Sequence, residues 1–143
     1  MSTSPFHLAL PIIDIEESRQ FYIDILGCTI GRSATRWLDV NFWGHQLSLH
    51  VDDSCQRKVA TNSVDEDEVP VRHFGVILEW EEWHNLKEIL MDGEYATEIQ
   101  WVIEPKIRFE GEVGEQATMF IKDPSGNVLE FKSFQNMGQI FSA

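Results

Sequence analysis

The sequence predicts an α+β domain of two βαβββ modules, whose mixed sheet curves into a half-barrel around a cleft with the helices outside. Three observations carry this. Laying His7 on His73 also brings Ala9 onto Gly75, Leu10 onto Val76 and Gly27 onto Gly93, so one plan is written twice. In each copy a short apolar run passes through an acidic turn into an amphipathic stretch that ends at glycine. Three strand-like segments follow in each copy. One helix covers only one face of its sheet, and two modules side by side can share the other.

The first module spans 5–51. Its apolar run, Phe6–Ile13, reads as a strand, and Asp14 to Glu17 form the acidic turn. Phe21, Tyr22, Ile25 and Leu26 then make one helical stripe, with Gly27 suited to a left-handed cap. Strands are expected at 28–33, 36–42 and 45–51. Residues 52–70 are polar and charge-rich and read as a linker, with the acidic run Asp65–Glu68 as a solvated loop. The second module spans 71–134. Trp83, Leu86, Ile89 and Leu90 form its helical stripe, with Gly93 just beyond. Strands are expected at 101–109, 116–122 and 127–134, the last two separated by the turn Asp123-Pro124-Ser125-Gly126. Residues 135–143 form a tail carrying Ile140 and Phe141.

Composition narrows the function. The chain has 143 residues, 43% of them hydrophobic, enough for one domain with a real core. Its net charge of −13 repels phosphate backbones and anionic lipid, which argues against nucleic-acid and membrane partners. No apolar run approaches the roughly 20 residues of a membrane span. The start, MSTSPFH, has no signal-like pattern, so the cytoplasm is the expected compartment. Cys28 and Cys55 lack metal or redox spacing and read as free thiols.

The two histidines that open the modules are the first chemical signal. One such histidine is ordinarily a packed residue; two in equivalent places ask for a common cause. A third polar residue interrupts the last strand. In Leu129–Phe134 the period of two places Leu129, Phe131 and Ser133 on one face and Glu130, Lys132 and Phe134 on the other. A carboxylate on a buried face needs a compensating partner, and a metal is one answer.

The paired modules, His7 and His73 at their starts, and the closing run "DPSGNVLEF" (Asp123–Phe131) resemble the vicinal oxygen chelate superfamily over about residues 5–134. That superfamily holds glyoxalase I, extradiol dioxygenases, fosfomycin-resistance proteins and bleomycin-binding proteins. The stretches "FWGHQLSLH" and "RFEGEVGEQATMFIKDPSGNVLEFK" are most similar to small proteins described as extradiol-type dioxygenases. The resemblance implies that His7, His73 and Glu130 point into the cleft and hold a divalent metal. Two imidazoles and one carboxylate form the facial triad of non-haem iron enzymes, with positions left open for a bidentate substrate and O₂. Fe(II) is the expected ion; Mn(II), Ni(II) or Zn(II) would suit related activities. Ser48 stands opposite Glu130 in the module alignment and cannot supply the fourth ligand usual in glyoxalase I, and Gln46 offers only a neutral oxygen.

The implied lead activity is therefore ring cleavage of a small substrate with vicinal oxygens. The alternatives are a glyoxalase-like lyase or isomerase, a resistance transferase, or a small-molecule-binding protein without catalysis. No acid–base residue is assigned; the remaining candidates are His50, and Tyr22 and Tyr95, the two tyrosines reading as helical or near-helical. Substrate contacts are expected among Arg108 with Lys106, Phe42 with Trp43, Met119, Arg36 and His50. His45 reads as a turn residue and His84 as exposed; Trp80, Trp83 and Trp101 read as packing. The resemblance also implies a homodimer.

Overall fold

The computed structural model describes residues 3–55, 61–64 and 67–142. The chain runs β1 (His7–Ile12), α1 (Ile15–Arg19), a π-helical turn (Gln20–Ile25), β2 (Thr29–Ala34), β3 (Trp37–Phe42), β4 (His45–Val51), β5 (Thr61–Val64), β6 (Asp67–Pro70), β7 (Phe74–Ile77), α2 (Trp80–Asp92), β8 (Gln100–Arg108), β9 (Gln116–Lys122) and β10 (Val128–Phe134). The sheets run β1-β4-β3-β2 and β7-β10-β9-β8, so both copies use one topology. In each, the first and last strands pair in parallel and the rest pair antiparallel. The predicted α+β class and the two βαβββ modules are therefore present. The chain divides into two compact units, Met1–Lys58 with Asp123–Asn127, and Val59–Lys122 with Val128–Ala143.

In the first unit, Asp14 caps α1 by accepting from the Glu17 N–H at 2.9 Å. The predicted single α-helix does not persist: from Gln20 the winding widens to π. The Leu26 N–H then reaches back to the Phe21 carbonyl at 3.0 Å. The wider turn buries the neighbours Phe21 and Tyr22 together with Ile25 and Leu26. Gly27 closes it at φ 78°, as its left-handed role requires. Leu38, Val40 and Phe42 of β3 and Leu47 and Leu49 of β4 are buried, while Asp39 and Trp37 are half-buried and Asn41 is exposed.

This unit also holds the turn between β9 and β10. Tyr22 donates its buried hydroxyl to Asp123 at 2.8 Å, the Ile13 N–H donates to Ser125 Oγ at 2.8 Å, and Asn127 Nδ2 donates to the Pro11 carbonyl at 2.9 Å. Asp123 also accepts from the Ser125 and Asn127 N–H groups. Burial pushes its carboxyl up, against the pull of these donors. Burial pushes the neighbouring Cys28 thiol up to about 12, so it stays protonated at neutral pH. Cys28 is a free thiol, as expected, and the Cys55 Sγ lies 3.9 Å from the Ser125 carbonyl oxygen.

In the second unit, α2 buries Trp83, Leu86 and Leu90. Ile89, expected in that stripe, is 52% exposed. Trp83 donates its indole N–H to the Phe131 carbonyl at 2.8 Å, which fixes the helix on β10. His84 is half-buried rather than exposed, with its ring against Trp80 and Trp83. The linker reading needs correction at its end. β5 and β6 pair antiparallel, and Val69 packs over Ile103, Phe120 and Val128. The sheet face away from α2 is thus partly covered by β6. Of the acidic run, Asp67 and Glu68 lie in β6; Asp65 and Glu66 fall outside the described residues.

Candidate metal centre

Glu130 and His73 meet in the second unit. Glu130 lies on β10 facing away from α2, paired across the ladders with Gly75 of β7 and Phe120 of β9. His73 immediately precedes β7. Its Nε2 lies 3.3 Å from Glu130 Oε1, with side-chain exposures of only 28% and 15%. Its Nδ1 lies 2.8 Å from the Pro70 carbonyl, and a carbonyl only accepts, so Nδ1 carries a proton. The ring packs edge-on against Phe120 at 5.0 Å. The Thr118 hydroxyl donates to Glu130 Oε2 at 2.5 Å. Burial pushes the Glu130 carboxyl up, but the His73 and Thr118 hydrogen bonds outweigh it and hold the group below the ordinary range. The Glu130 hydrogen bond in turn raises His73 above the usual imidazole value.

Gly75 makes this arrangement sterically available. A β-carbon at position 75 would run into the carbonyl of Glu130. Only glycine lets β7 lie this close to β10 and bring His73 to Glu130. The repeat aligns Gly75 with Ala9, but nothing along the sequence shows that one needs to be glycine and the other does not.

His7 opens β1 in the first unit and is exposed there. Its Nδ1 lies 2.8 Å from Gln46 Oε1. Gln46 Nε2 lies 3.4 Å from Asp39 Oδ2, and the Ser48 hydroxyl donates to Asp39 Oδ1 at 2.7 Å. Asp39 and Gln46 also line a groove of about 290 Å³ in this unit. Ser48 is thus spent on Asp39. Asp39 itself is a carboxylate on the same sheet face as His7 that sequence reasoning missed. Its signal was parity, since Leu38, Val40 and Phe42 alternate with it. His45 has its Nδ1 lone pair taken by the Phe6 N–H at 2.7 Å.

The other expected contacts are redistributed. Phe42 is buried on the opposite face of β3 from Asp39, so it is core and not a substrate wall. Met119 is fully buried opposite Phe131, on the α2 side of the sheet, and is likewise core. Arg108 donates to Asp67 Oδ2 at 2.9 Å and Lys106 donates to the same oxygen at 2.7 Å. His50 lies on the His7 face of β4 but four residues beyond Gln46, about 13 Å along an extended strand. Arg36 is exposed and reaches Asp53 at 3.4 Å. Among the described residues, no group of three His, Cys, Asp or Glu side chains gathers as a preformed metal cage.

Residues 4–131 match the profile of the Glyoxalase/Bleomycin resistance protein/Dioxygenase superfamily. The chain belongs to this superfamily. A glyoxalase/bleomycin resistance protein/dioxygenase from Alicyclobacillus acidocaldarius is similar at 31% identity, with a TM-score of 0.78 and 96% of each chain covered. The fosfomycin resistance protein FosX from Listeria monocytogenes shares the fold at 15% identity and TM-score 0.69, covering 98% of this chain and 100% of that one. Lactoylglutathione lyase from Agrobacterium tumefaciens does so at 17% identity and TM-score 0.62, covering 99% and 98%. No curated protein sequence matches the chain.

Superfamily members bind small molecules, commonly use divalent metals and often form dimers. The donor chemistry of the second unit fits such an ion. With metal–ligand bonds of about 2.1 Å, two donors on one ion stand about 3 Å apart. The 3.3 Å between His73 Nε2 and Glu130 Oε1 matches that spacing. The Pro70 carbonyl holds a proton on Nδ1, so Nε2, the nitrogen that faces the carboxylate, is the one that would exchange its own proton for an ion.

Proposed function

We propose that this protein is a metal-dependent enzyme in which His7, His73 and Glu130 hold a divalent ion, Fe(II) first among the candidates. Its lead activity is extradiol-type ring cleavage of a small substrate with vicinal oxygens, carried out in the cytoplasm by a homodimer. The observation that supports this reading is the His73–Glu130 pair, with its donor atoms facing each other and its tautomer fixed by Pro70. A bound ion would supply a Lewis-acidic centre with open positions for substrate oxygens and O₂. The protein's own part is to set Nε2 of His73 and Oε1 of Glu130 side by side, to hold the other Glu130 oxygen by Thr118, and to keep the pair partly shielded from water by Phe120. In the first unit, the Ser48 hydroxyl is committed to Asp39, which supports a three-ligand reading over the four-ligand one.

The test is elemental analysis of protein purified anaerobically without chelators, beside His73→Ala. Near-stoichiometric iron that is lost in the variant, with oxygen uptake on a catechol panel, is the expected result. Manganese, nickel or zinc bound in the same way would keep the centre and move the activity to a lyase, isomerase or transferase. No metal in either protein after Fe(II) reconstitution would leave a binding protein and overturn the proposal. Light scattering on the same samples tests the dimer.

A further inference from the structure

His7 and His73 are held by different devices. At His73 the proton on Nδ1 is dictated by a backbone carbonyl, which has no second option. At His7 the neighbour is the Gln46 side chain, and an amide can present either its oxygen or its NH₂. If it presented NH₂, His7 Nδ1 would be the acceptor and the proton would sit on Nε2. The orientation of one amide therefore decides which nitrogen of His7 keeps a lone pair.

Asp39 makes that choice. An ionised carboxylate only accepts, so the half of the Gln46 amide facing Asp39 Oδ2 at 3.4 Å must be its NH₂. The Gln46 oxygen then faces His7 at 2.8 Å and takes the proton of Nδ1. The reverse orientation would set two acceptors against each other beside a half-buried charge. Ser48 fixes Asp39 in turn, donating to Oδ1 at 2.7 Å. The adjacent His45 shows the other outcome: the Phe6 N–H occupies its Nδ1 and leaves the proton on Nε2.

We infer that Asp39 and Gln46 are positioning residues that lock His7 as the Nδ1–H tautomer, so that Nε2 is the free acceptor. The tautomer stands on the geometry alone; its use in ligating a metal rests on the function proposed above. Free neutral imidazole favours the opposite tautomer, so the lock works against a preference and its release is observable.

The experiment is long-range ¹H–¹⁵N correlation spectroscopy on metal-free protein with ring-labelled histidine, at a pH about two units above the ordinary imidazole value. In the unsubstituted protein His7 is expected as Nδ1–H, and His73 with its Nδ1 protonated. In Gln46→Leu, His7 should turn over to mostly Nε2–H while His73 is unchanged, which also reports that the fold is intact. Asp39→Asn removes the charge but keeps the shape, and should give His7 as a mixture because the Gln46 amide can then flip. Mn²⁺ titration of the same proteins should show affinity falling by about 10–100-fold in Gln46→Leu, as is usual when a ligand's hydrogen-bond partner is lost. An unchanged His7 tautomer in Gln46→Leu, with His73 intact, overturns the inference. A turnover without any Mn²⁺ binding in the unsubstituted protein upholds the lock and overturns the metal reading alone.

Discussion

At Asp67 one carboxylate oxygen accepts from both Lys106, at 2.7 Å, and Arg108, at 2.9 Å. The same two cations were the expected anchor for a substrate anion, and the anion that meets them comes from the chain itself. The Lys106 hydrogen bond, only partly offset by burial, holds the Asp67 carboxyl below its ordinary range. A depressed carboxyl contributes stability above its unfolded value, about 3.9, and loses it as pH falls through the folded value. Acid unfolding followed by circular dichroism should therefore be steeper below about pH 4 in the unsubstituted protein than in Asp67→Asn. The two proteins should converge at the acid end. Equal acid limbs would mean that the cluster does not couple to folding. Parity along 101–109 put Lys106 and Arg108 on one side of their strand, and that much was legible. Their partner was not, because Asp67 lies far away in sequence and its approach depends on where β6 packs.

At the scale of elements, β7 depends on a residue with no side chain. Gly75→Ala would drive a methyl group into the Glu130 carbonyl of the neighbouring strand, and relieving it should cost about 1–3 kcal/mol, the usual range for overpacking. Ala9→Gly at the matching place in β1 meets no such contact and should cost less than about 1 kcal/mol, the entropy of a glycine in a strand. Urea unfolding of the pair measures the difference, and equal costs would contradict the close approach of β7 to β10. The expected strands 45–51 and 116–122 match β4 and β9, and those of β1, β2, β3, β8 and β10 shift by one residue, but β5 and β6 lie in the stretch that reads as a linker. The helices were read less well. Periodicity at 3.6 counts Ile89 into the α2 stripe, yet of that stripe Trp83, Leu86 and Leu90 are buried and Ile89 is exposed. In the first helix the π winding is set by packing two adjacent aromatics, Phe21 and Tyr22, and no residue pattern announces it.

For the whole molecule, the proposed metal centre would link ion binding to folding. An ion that binds only the folded chain raises stability by about 2.7 kcal/mol at 100 times its dissociation constant. For a chain of this size each 1 kcal/mol shifts the melting temperature by about 2–8 °C. Calorimetry with excess Mn²⁺ should show that rise in the unsubstituted protein and none in His73→Ala. No rise in either would speak against the metal centre. The net charge of −13 gives all divalent cations a general attraction to the surface, so Ca²⁺, a hard ion without affinity for imidazole, is the control.

The sequence by itself determined the repeat, the order of strands and helix within each module, the alternation that turns Glu130 away from Leu129 and Phe131, and the candidates His7 and His73. These are periodic properties, carried by residues a few positions apart, and periodicity survives in one dimension. The tertiary structure alone decided that β6 partly covers one face of the second sheet, that Phe42 and Met119 are core, and that Asp67 takes Arg108 and Lys106. It also decided that Asp123 and Ser125 bond into the first unit, and that the Pro70 carbonyl keeps a proton on Nδ1 of His73. In each case the deciding group comes from another strand or loop, and which groups meet is set by strand register and packing, where a shift of one residue would exchange every partner.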